Sequence, residues 1–481
     1  MLELEPRRGI WKRIVLGAFL IVLASSAATA GALFDEVNAL VHEFKRGNTL
    51  QLDDELAQAD PGKPQTILLL GSDTRAKGAR DYEGRGARGR SDTMILMRLD
   101  PSKNAIKMLS LPRDLKVQIP GHGVDKLNAA YSLGGVKLTL KTIKNFTGLR
   151  VNHVINVDFR GFRKAINALG CVYVDVDRRY FNDNTGGEQY ATIDIKPGYQ
   201  KLCDQDALDY VRYRHTDNDI IRAARQQDFL RQMKAQIGLK KIINDRKELI
   251  KIFGKYTQSD IGSRKTVLRL LKLIALSASH PIHQIHFQTD SLSDEQGYVT
   301  ASSESTHRLA DEFLGAATQE EEAATRKKRK RKRAAEVRLI DSSGSGKDQA
   351  LQLVNQGAKG LDIYYPRQLT PRSQFIGPPR AYTLRGKRNR KYRAYRLVVG
   401  YGEIGEYYGI QGMTWKKPPI LSGPSEERKT GGRKVRVFYD GERVRLIAWR
   451  AHGAAYWVTN TLSQRLNLQQ MLAIVRSTKP L

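Results

Sequence analysis

From Ile14 to Phe34 the chain reads "IVLGAFLIVLASSAATAGALF", 21 residues without a charge. A run of that length crosses the ~30 Å hydrocarbon core of a bilayer as a helix, which satisfies its own backbone hydrogen bonds in lipid. Arg7, Arg8, Lys12 and Arg13 precede it and Asp35 and Glu36 follow, an asymmetry that keeps the N-terminus in the cytoplasm. Residues 1–13 therefore read as a basic cytoplasmic N-terminus, 14–34 as a single-pass transmembrane anchor and 35–63 as a polar stalk ending in "PGKP". The alternative is a cleaved signal peptide, since "ATA" before Gly31 is an acceptable small-residue site, although the apolar run exceeds the usual h-region of about 7 to 15 residues. Both readings export everything that follows.

Export decides the expected state of the two cysteines. An isolated pair in an oxidising compartment is more often bridged than free. Cys171 and Cys203 are expected to form a disulfide that closes a loop of roughly 30 residues, worth about 3 kcal/mol in the chain-entropy model.

The formal charge of +31 points to an anionic partner or surface,. Eight of those charges form one run, "RKKRKRKR" at 326–333, so most of the excess lies elsewhere. In a cytosolic protein such a run suggests nucleic-acid binding. Outside the cell no nucleic acid is expected, and "AATQEEEAATRKKRKRKRAAE" at 316–336 reads as a charged low-complexity linker,.

The linker separates two folded parts. Before it, "TILLL" is a buried strand, and "TMILMRL" and "AIKMLSL" form an antiparallel hairpin through "DPSKN". "NHVINVD" and "CVYVDVD" are strands separated by a helix from Phe159 to Leu169. Apolar strands interleaved with helices make 64–315 an α/β layered domain with both sheet faces covered,. After the linker, 337–481 reads as a small α+β accessory domain. Its clearest pieces are the hairpin "RKVRVFYDGERVRLIAW", turning at Asp440-Gly441, and a closing helix with Leu468, Met471, Leu472 and Val475 on one face. In the hairpin, Val435, Val437 and Tyr439 alternate against Val444, Leu446 and Ala448.

The first part carries the chemistry. Asp73 follows the first strand and Asp92 opens the second, so both carboxylates converge at one sheet edge. Hard oxygen ligands that leave most of the shell to water and phosphate suit Mg²⁺. "SLPRD" presents Arg113 and Asp114 as the chain turns at Pro112, and "YVRYRHTDNDIIRAARQQ" supplies Arg212, Arg214, Asp219, Arg222, Arg225 and Gln226. Spacings of three, three and one put Asp219, Arg222, Arg225 and Gln226 on one helical face. Several guanidiniums on one face suit a multiply charged phosphate, because Arg donates in a fork and keeps its charge.

In order and combination, "LLLGSDTR", "RSDTMILMRLDP", "LSLPRD", "DKLNAAYSLGG", "VDFRGF" and "ALDYVRYRHTDNDIIRAARQQ" resemble the LytR-CpsA-Psr family over roughly residues 64 to 240, with a weaker continuation to 315. Cys171 departs from it, standing where the family often has glycine, and the glycine and arginine loop at 75–90 is long. The resemblance implies a three-layer α/β/α domain with a mixed sheet. It further implies an enzyme of the bacterial cell membrane, facing outward, that moves a phosphoglycan from a polyprenyl-pyrophosphate carrier to peptidoglycan. Asp73 and Asp92 would hold Mg²⁺, with Mn²⁺ as a substitute. Arg75, Arg90, Arg113, Arg212, Arg214, Arg222 and Arg225 would line the pyrophosphate site, with Lys126, Asp219 and Gln226 beside them. Asp73, Asp92 or Asp114 would accept the proton of the attacking hydroxyl. The polyprenyl tail needs an apolar groove, for which Val136, Leu140, Ile143, Phe146, Val154, Ile155 and Val157 are candidates, with an ordinary packed core as the default reading of the same residues. Two alternatives stand beside transfer: hydrolysis of the lipid pyrophosphate, and a regulatory or polymer-binding role without catalysis.

Overall fold

The apolar runs after the stalk form β1 (Gln65–Ser72) and β2 (Ser91–Leu99), and the chain returns as β3 (Ile106–Ser110). Both pairings are antiparallel, as the hairpin reading required. Asp100 makes the turn, its Oδ1 accepting from the Ser102 amide at 3.0 Å and hydroxyl at 2.6 Å, the short-range bonding that suits Asp to turns. The computed structural model describes residues 50–52, 54–58, 60–72, 89, 91–103, 106–185, 191–213, 217–237, 241, 244–277, 280, 282–285, 287, 297–315, 337–358, 360–386, 389–402 and 405–481, with Asn38 and His42. The expected anchor at 14–34 and linker at 316–336 lie outside these residues. Among the described residues no helix is long and apolar enough to cross a membrane.

After α1 (Leu127–Thr147), β4 (His153–Asp158) enters parallel to β1. There follow α2 (Phe159–Ala168), α3 (Asp204–Arg212), α4 (Asp219–Gln236), β5 (Thr257–Ser259), α5 (Arg264–Ser277), β6 (Ile282–Ile285) and α6 (Ser303–Leu314). The sheet runs β5-β4-β1-β2-β3-β6, with β5 antiparallel to β4 and β6 parallel to β3. It is therefore mixed. The two-residue period of the strands fills two cores. Leu68, Leu70, Met94, Leu96 and Val154 meet Leu140 and Ile143 of α1 and Phe313 of α6. On the other face Ile67, Ile95 and Met108 meet Val267, Leu270 and Leu273 of α5. Of the positions considered for a lipid groove, Val136, Leu140, Ile143 and Val154 belong to the first core, with Phe146 packed against it.

"CVYVDVD" is a strand, Val172–Val176, but it does not join this sheet. It pairs with Gly198–Leu202 in a separate ribbon. The reason is burial on both faces. Val172, Val174 and Val176 pack with Tyr210, Val211 and Phe229 of α3 and α4. On the opposite side Tyr173 packs against a cluster from the C-terminal part, and Asp175 accepts from Arg396 at 2.9 Å and Trp457 at 2.7 Å. The Cys171–Cys203 disulfide ties the start of this ribbon to the start of α3. Cys171 sits at φ 65°, the left-handed region where glycine is the usual occupant.

Residues 340–481 build an eight-stranded sheet with a buried core of their own. The expected hairpin lies within it as Arg433–Asp440 and Arg443–Ala451, with Asp440 opposite Arg443. A register shift after Phe438 sets Val437 opposite Ile447. This departs from the simple alternation because both faces are covered. Val437 and Ile447 face α7 (Leu468–Ser477), through Met471, Ile474 and Val475, while Phe438, Leu446 and Ala448 face Tyr199 from the N-terminal part.

Candidate active site

β1 ends where β2 begins, and a bulge between Gly71 and Ser72 pairs Ser72 with Ser91. A Cβ on Gly71 would meet Thr93 at 3.1 Å, so glycine permits this close approach. Asp92 stands at this mouth with its side chain 12 % exposed. Pro112 turns the chain after β3 and brings Arg113 across, where Nη1 donates to Asp92 Oδ1 at 2.7 Å. Arg212, the last residue of α3, reaches Asp92 Oδ2 at 3.3 Å. One carboxylate thus holds two guanidiniums. Asp114 lies 3.6 Å from Arg113 Nε and 3.7 Å from Lys126 Nζ, and the loop is fixed by the start of α1, where Asn128 N donates to the Arg113 carbonyl at 3.0 Å.

α4 supplies the floor. Asn218 caps it by accepting from the Ile221 amide, which places Asp219 in the first turn. Asp219 pairs with Arg222 and accepts from the Arg113 backbone amide. Arg222 is 3 % exposed at the base and the Lys126 side chain 32 % exposed at the rim. Gln226 ties the helix to the sheet, donating to Thr93 Oγ1 and to the Val211 carbonyl, both at 3.0 Å. Burial alone would raise the Asp92 carboxyl, but Arg222, Arg113 and Arg212 outweigh it and hold Asp92 below the usual carboxylate range. Burial pushes Asp219 up, against the pull of Arg222. Asp92 is therefore a fixed negative charge at neutral pH.

The structure brings Asp92, Arg113, Asp114, Lys126, Arg212, Asp219 and Arg222 into one cluster, with Gln226 lashing it together. Asp219 turns toward protein partners, holding Arg222 and the Arg113 backbone. Arg225 does not join. Its side chain is fully buried, paired with Asp217 and the Tyr213 carbonyl, with its guanidinium over the Tyr180 ring at 4.6 Å. Asp73, Arg75, Arg90 and Arg214 lie outside the described residues. Sequence reasoning missed Phe159, whose ring lies 4.1 Å from the Arg212 guanidinium, and Thr93. Nothing local marks either, apart from Phe159 opening α2 within "VDFRGF", where Asp158 caps the helix by accepting from Gly161 N at 2.6 Å.

Among the described residues no group of three or more His, Cys, Asp or Glu gathers as a metal cluster. A single ionised carboxylate with spare lone pairs still fits Mg²⁺, which takes one or two carboxylates and fills the rest of its shell with water and phosphate.

A family model described as the LytR_cpsA_psr family matches residues 34–313, more than half of the chain. The chain belongs to this family. Among its relatives is the polyisoprenyl-teichoic acid–peptidoglycan teichoic acid transferase TagV of Bacillus subtilis (strain 168). It is 35% identical over 231 residues, which cover 46% of this chain and 57% of TagV. TagT of the same strain, a transferase of the same description, is 33% identical over 225 residues, covering 46% of this chain and 68% of TagT. The match thus spans little more than half the length of TagV. A solved structure titled LytR-CPS2A-psr family protein YwtF (TagT) with bound octaprenyl pyrophosphate lipid aligns at a TM-score of 0.38 and 25% identity, over 54% of this chain and 92% of that one. The LytR_cpsA_psr match takes in every described member of the Asp92 cluster and ends in α6, before the C-terminal sheet.

Proposed function

We propose that this protein is an extracytoplasmic phosphotransferase that moves a phosphoglycan from a polyprenyl-pyrophosphate carrier to peptidoglycan, anchored to the membrane by residues 14–34. The observation that carries the reading is the Asp92 carboxylate clasped by Arg113 and Arg212 with Arg222 beneath it. A charged group so placed at the mouth of a sheet suits a pyrophosphate, and the related transferases of B. subtilis act on a polyisoprenyl-linked polymer and peptidoglycan by name.

Arg113, Arg212 and Arg222 bind the pyrophosphate and absorb the charge that grows on the leaving polyprenyl phosphate. A peptidoglycan hydroxyl attacks the phosphorus attached to the glycan. The new phosphodiester forms as the bond to the bridging oxygen breaks, and polyprenyl monophosphate departs. Asp92 or Asp114, which flank Arg113, or Asp73 would accept the hydroxyl proton. Asp92, with Asp73 as the second ligand, would hold Mg²⁺ (Mn²⁺ as substitute), which when bound neutralises pyrophosphate charge.

Hydrolysis would use the same arginines, so the acceptor decides. Incubation with a polyprenyl-pyrophosphoryl saccharide, Mg²⁺ and peptidoglycan fragments should yield a saccharide-phosphate-fragment adduct, abolished by Asp92→Ala. Release of free phosphosaccharide at a rate indifferent to the fragments would make the protein a hydrolase. No turnover of either kind would leave the binding or regulatory reading.

A further inference from the structure

A second basic site lies between the two folded parts. A cleft of about 410 Å³ is lined by Arg178, Arg179, Lys196 and Pro197 on one side, and by Ile376, Pro378, Pro379, Arg380, Val398 and Tyr407 on the other, a size that suits an organic ligand. Its walls are apolar and its charges are cationic. Arg178 lies over the Tyr407 ring at 5.1 Å and is paired to Asp217 behind it. Arg380 lies over Tyr382 at 4.4 Å and spans the junction by donating to the Pro197 carbonyl at 2.7 Å. At the rim, Arg179 is bonded to Asp194 at 2.6 Å and Lys196 is exposed. Among the described residues, four cations thus face the rim carboxylate of Asp194 and, behind Arg178, the buried Asp217 and Asp177.

The cleft adjoins the candidate active site through one short segment. Asp217 holds Arg178 of the cleft, and Asp219 holds Arg222 and the Arg113 backbone of the site. Two residues of chain span at most about 7 Å.

The geometry points to this cleft as a binding site for the sugar-phosphate chain of the polymer being transferred, beyond the pyrophosphate itself. Proline and tyrosine faces accept the C–H surfaces of sugar rings, and guanidinium and ammonium groups take phosphodiester oxygens. An uncharged glycan would have no use for four cations. A lipid tail would have no use for the charged rim. The inference rests on the transferase reading only for the source of the polymer.

The test is binding by calorimetry of phosphorylated maltohexaose and of unmodified maltohexaose to the full chain. The phosphorylated sugar should bind at least about tenfold more tightly, with the difference shrinking as salt rises. Arg179→Glu with Lys196→Glu, both on exposed side chains, should abolish that preference while leaving the melting temperature in place. Tyr407→Leu should weaken the phosphorylated sugar yet leave inorganic phosphate binding unchanged. Equal binding of the two sugars, or a preference that survives the double variant, overturns the inference. So does a peptidoglycan fragment that binds more tightly than the phosphorylated sugar and is lost in the double variant, since the cleft then serves the acceptor. The probes carry no pyrophosphate, so binding is read without turnover. Failed binding with intact transfer removes this site alone, and intact binding with failed transfer removes the transferase reading alone.

Discussion

Two clusters in this molecule share one chemical formula, a single aspartate between two arginines, and differ in everything that matters to a ligand. In the outer one Asp92 joins Arg113 and Arg212 at a strand mouth, with the arginine side chains 11% and 23% exposed. In the inner one Asp217 joins Arg178 and Arg225, and Asp217 and Arg225 have no exposed side-chain surface at all. Tyr180 and Tyr213 pack against the Arg225 guanidinium, so the protein itself occupies the faces a phosphate would need there, while Arg178, its side chain 11% exposed, opens away from Asp217 to the basic cleft. Density of charge therefore does not make a site. What separates Arg225 from Arg113 and Arg212 is that no side of its guanidinium is left to the solvent.

The largest expected effect lies in the inner cluster. Asp217→Asn leaves the fully buried Arg225 without its carboxylate in a dry setting, and breaking one partner of a buried pair costs about 3–5 kcal/mol. Urea unfolding should show a loss of that size. A loss under about 1 kcal/mol would mean that the inner cluster is solvated and the contrast false. Next is Arg113→Ala in the outer cluster. Removing one charge-stabilising donor typically lowers turnover by about 10²–10³, whereas stability should change by no more than about 1–2 kcal/mol. If instead the protein unfolds and the residual folded fraction turns over normally, Arg113 is structural.

The disulfide comes third. Reducing Cys171–Cys203 frees a loop of 32 residues, and the chain-entropy model puts the loss at about 3 kcal/mol. It should fall on α3, which carries Tyr210, whose ring lies 5.7 Å from the Arg225 guanidinium of the inner cluster, and Arg212 of the outer. Hydrogen exchange in residues 204–212 should rise on reduction; unchanged protection there would show that packing alone fixes the helix.

A pH series sharpens the comparison further. The folded Asp92 carboxyl lies below its unfolded value, because Arg222, Arg113 and Arg212 outweigh its burial. Its stabilising contribution is complete above the unfolded value near 3.9 and is lost as pH falls through the lower folded value. Melting temperatures of the native chain should thus drop more steeply below about pH 4 than those of Asp92→Asn. Parallel curves would mean that Asp92 is not held by its arginines.

Much of this was open to reading along the chain, and the failures share one cause. The hairpin of β1, β2 and β3 was legible because period-two burial and an Asp turn are local. Asp92, Arg113 and Arg212 were legible because an unpaired-looking charge at a strand end has few structural uses. Arg222 and Arg225 were not separable. They sit three residues apart on α4, a helix buried almost all round, so the apolar pattern marks no outward face. Which arginine meets the site is set by Asp217 and Tyr180, from segments the spacing does not connect. "CVYVDVD" failed in the same way. Its central Asp175 was the only mark that this strand answers to Arg396 and Trp457, more than two hundred residues on.

The smallest expected effect compares like with like across the two clusters. Arg212 lies over Phe159 at 4.1 Å in the outer cluster, and Arg225 lies over Tyr180 at 4.6 Å in the inner one. A guanidinium on an aromatic face is worth about 0.5–1 kcal/mol where exposed and about 2 or more where desolvated. Phe159→Leu keeps an apolar neighbour but removes the ring face, so Arg212 loses a guide rather than its charge. Substrate binding should weaken two- to fivefold, roughly the 0.5–1 kcal/mol of the lost contact, and kcat should hold, because Arg212 grips the pyrophosphate before and during reaction. Tyr180→Leu removes a similar contact from a fully buried setting, together with a hydroxyl that donates to Asp177 at 2.5 Å. That change should cost several times more in stability and nothing specific in KM. Equal stability losses from the two substitutions would show that the outer arginine is as dry as the inner one, and the distinction between an open site and a closed brace would fail.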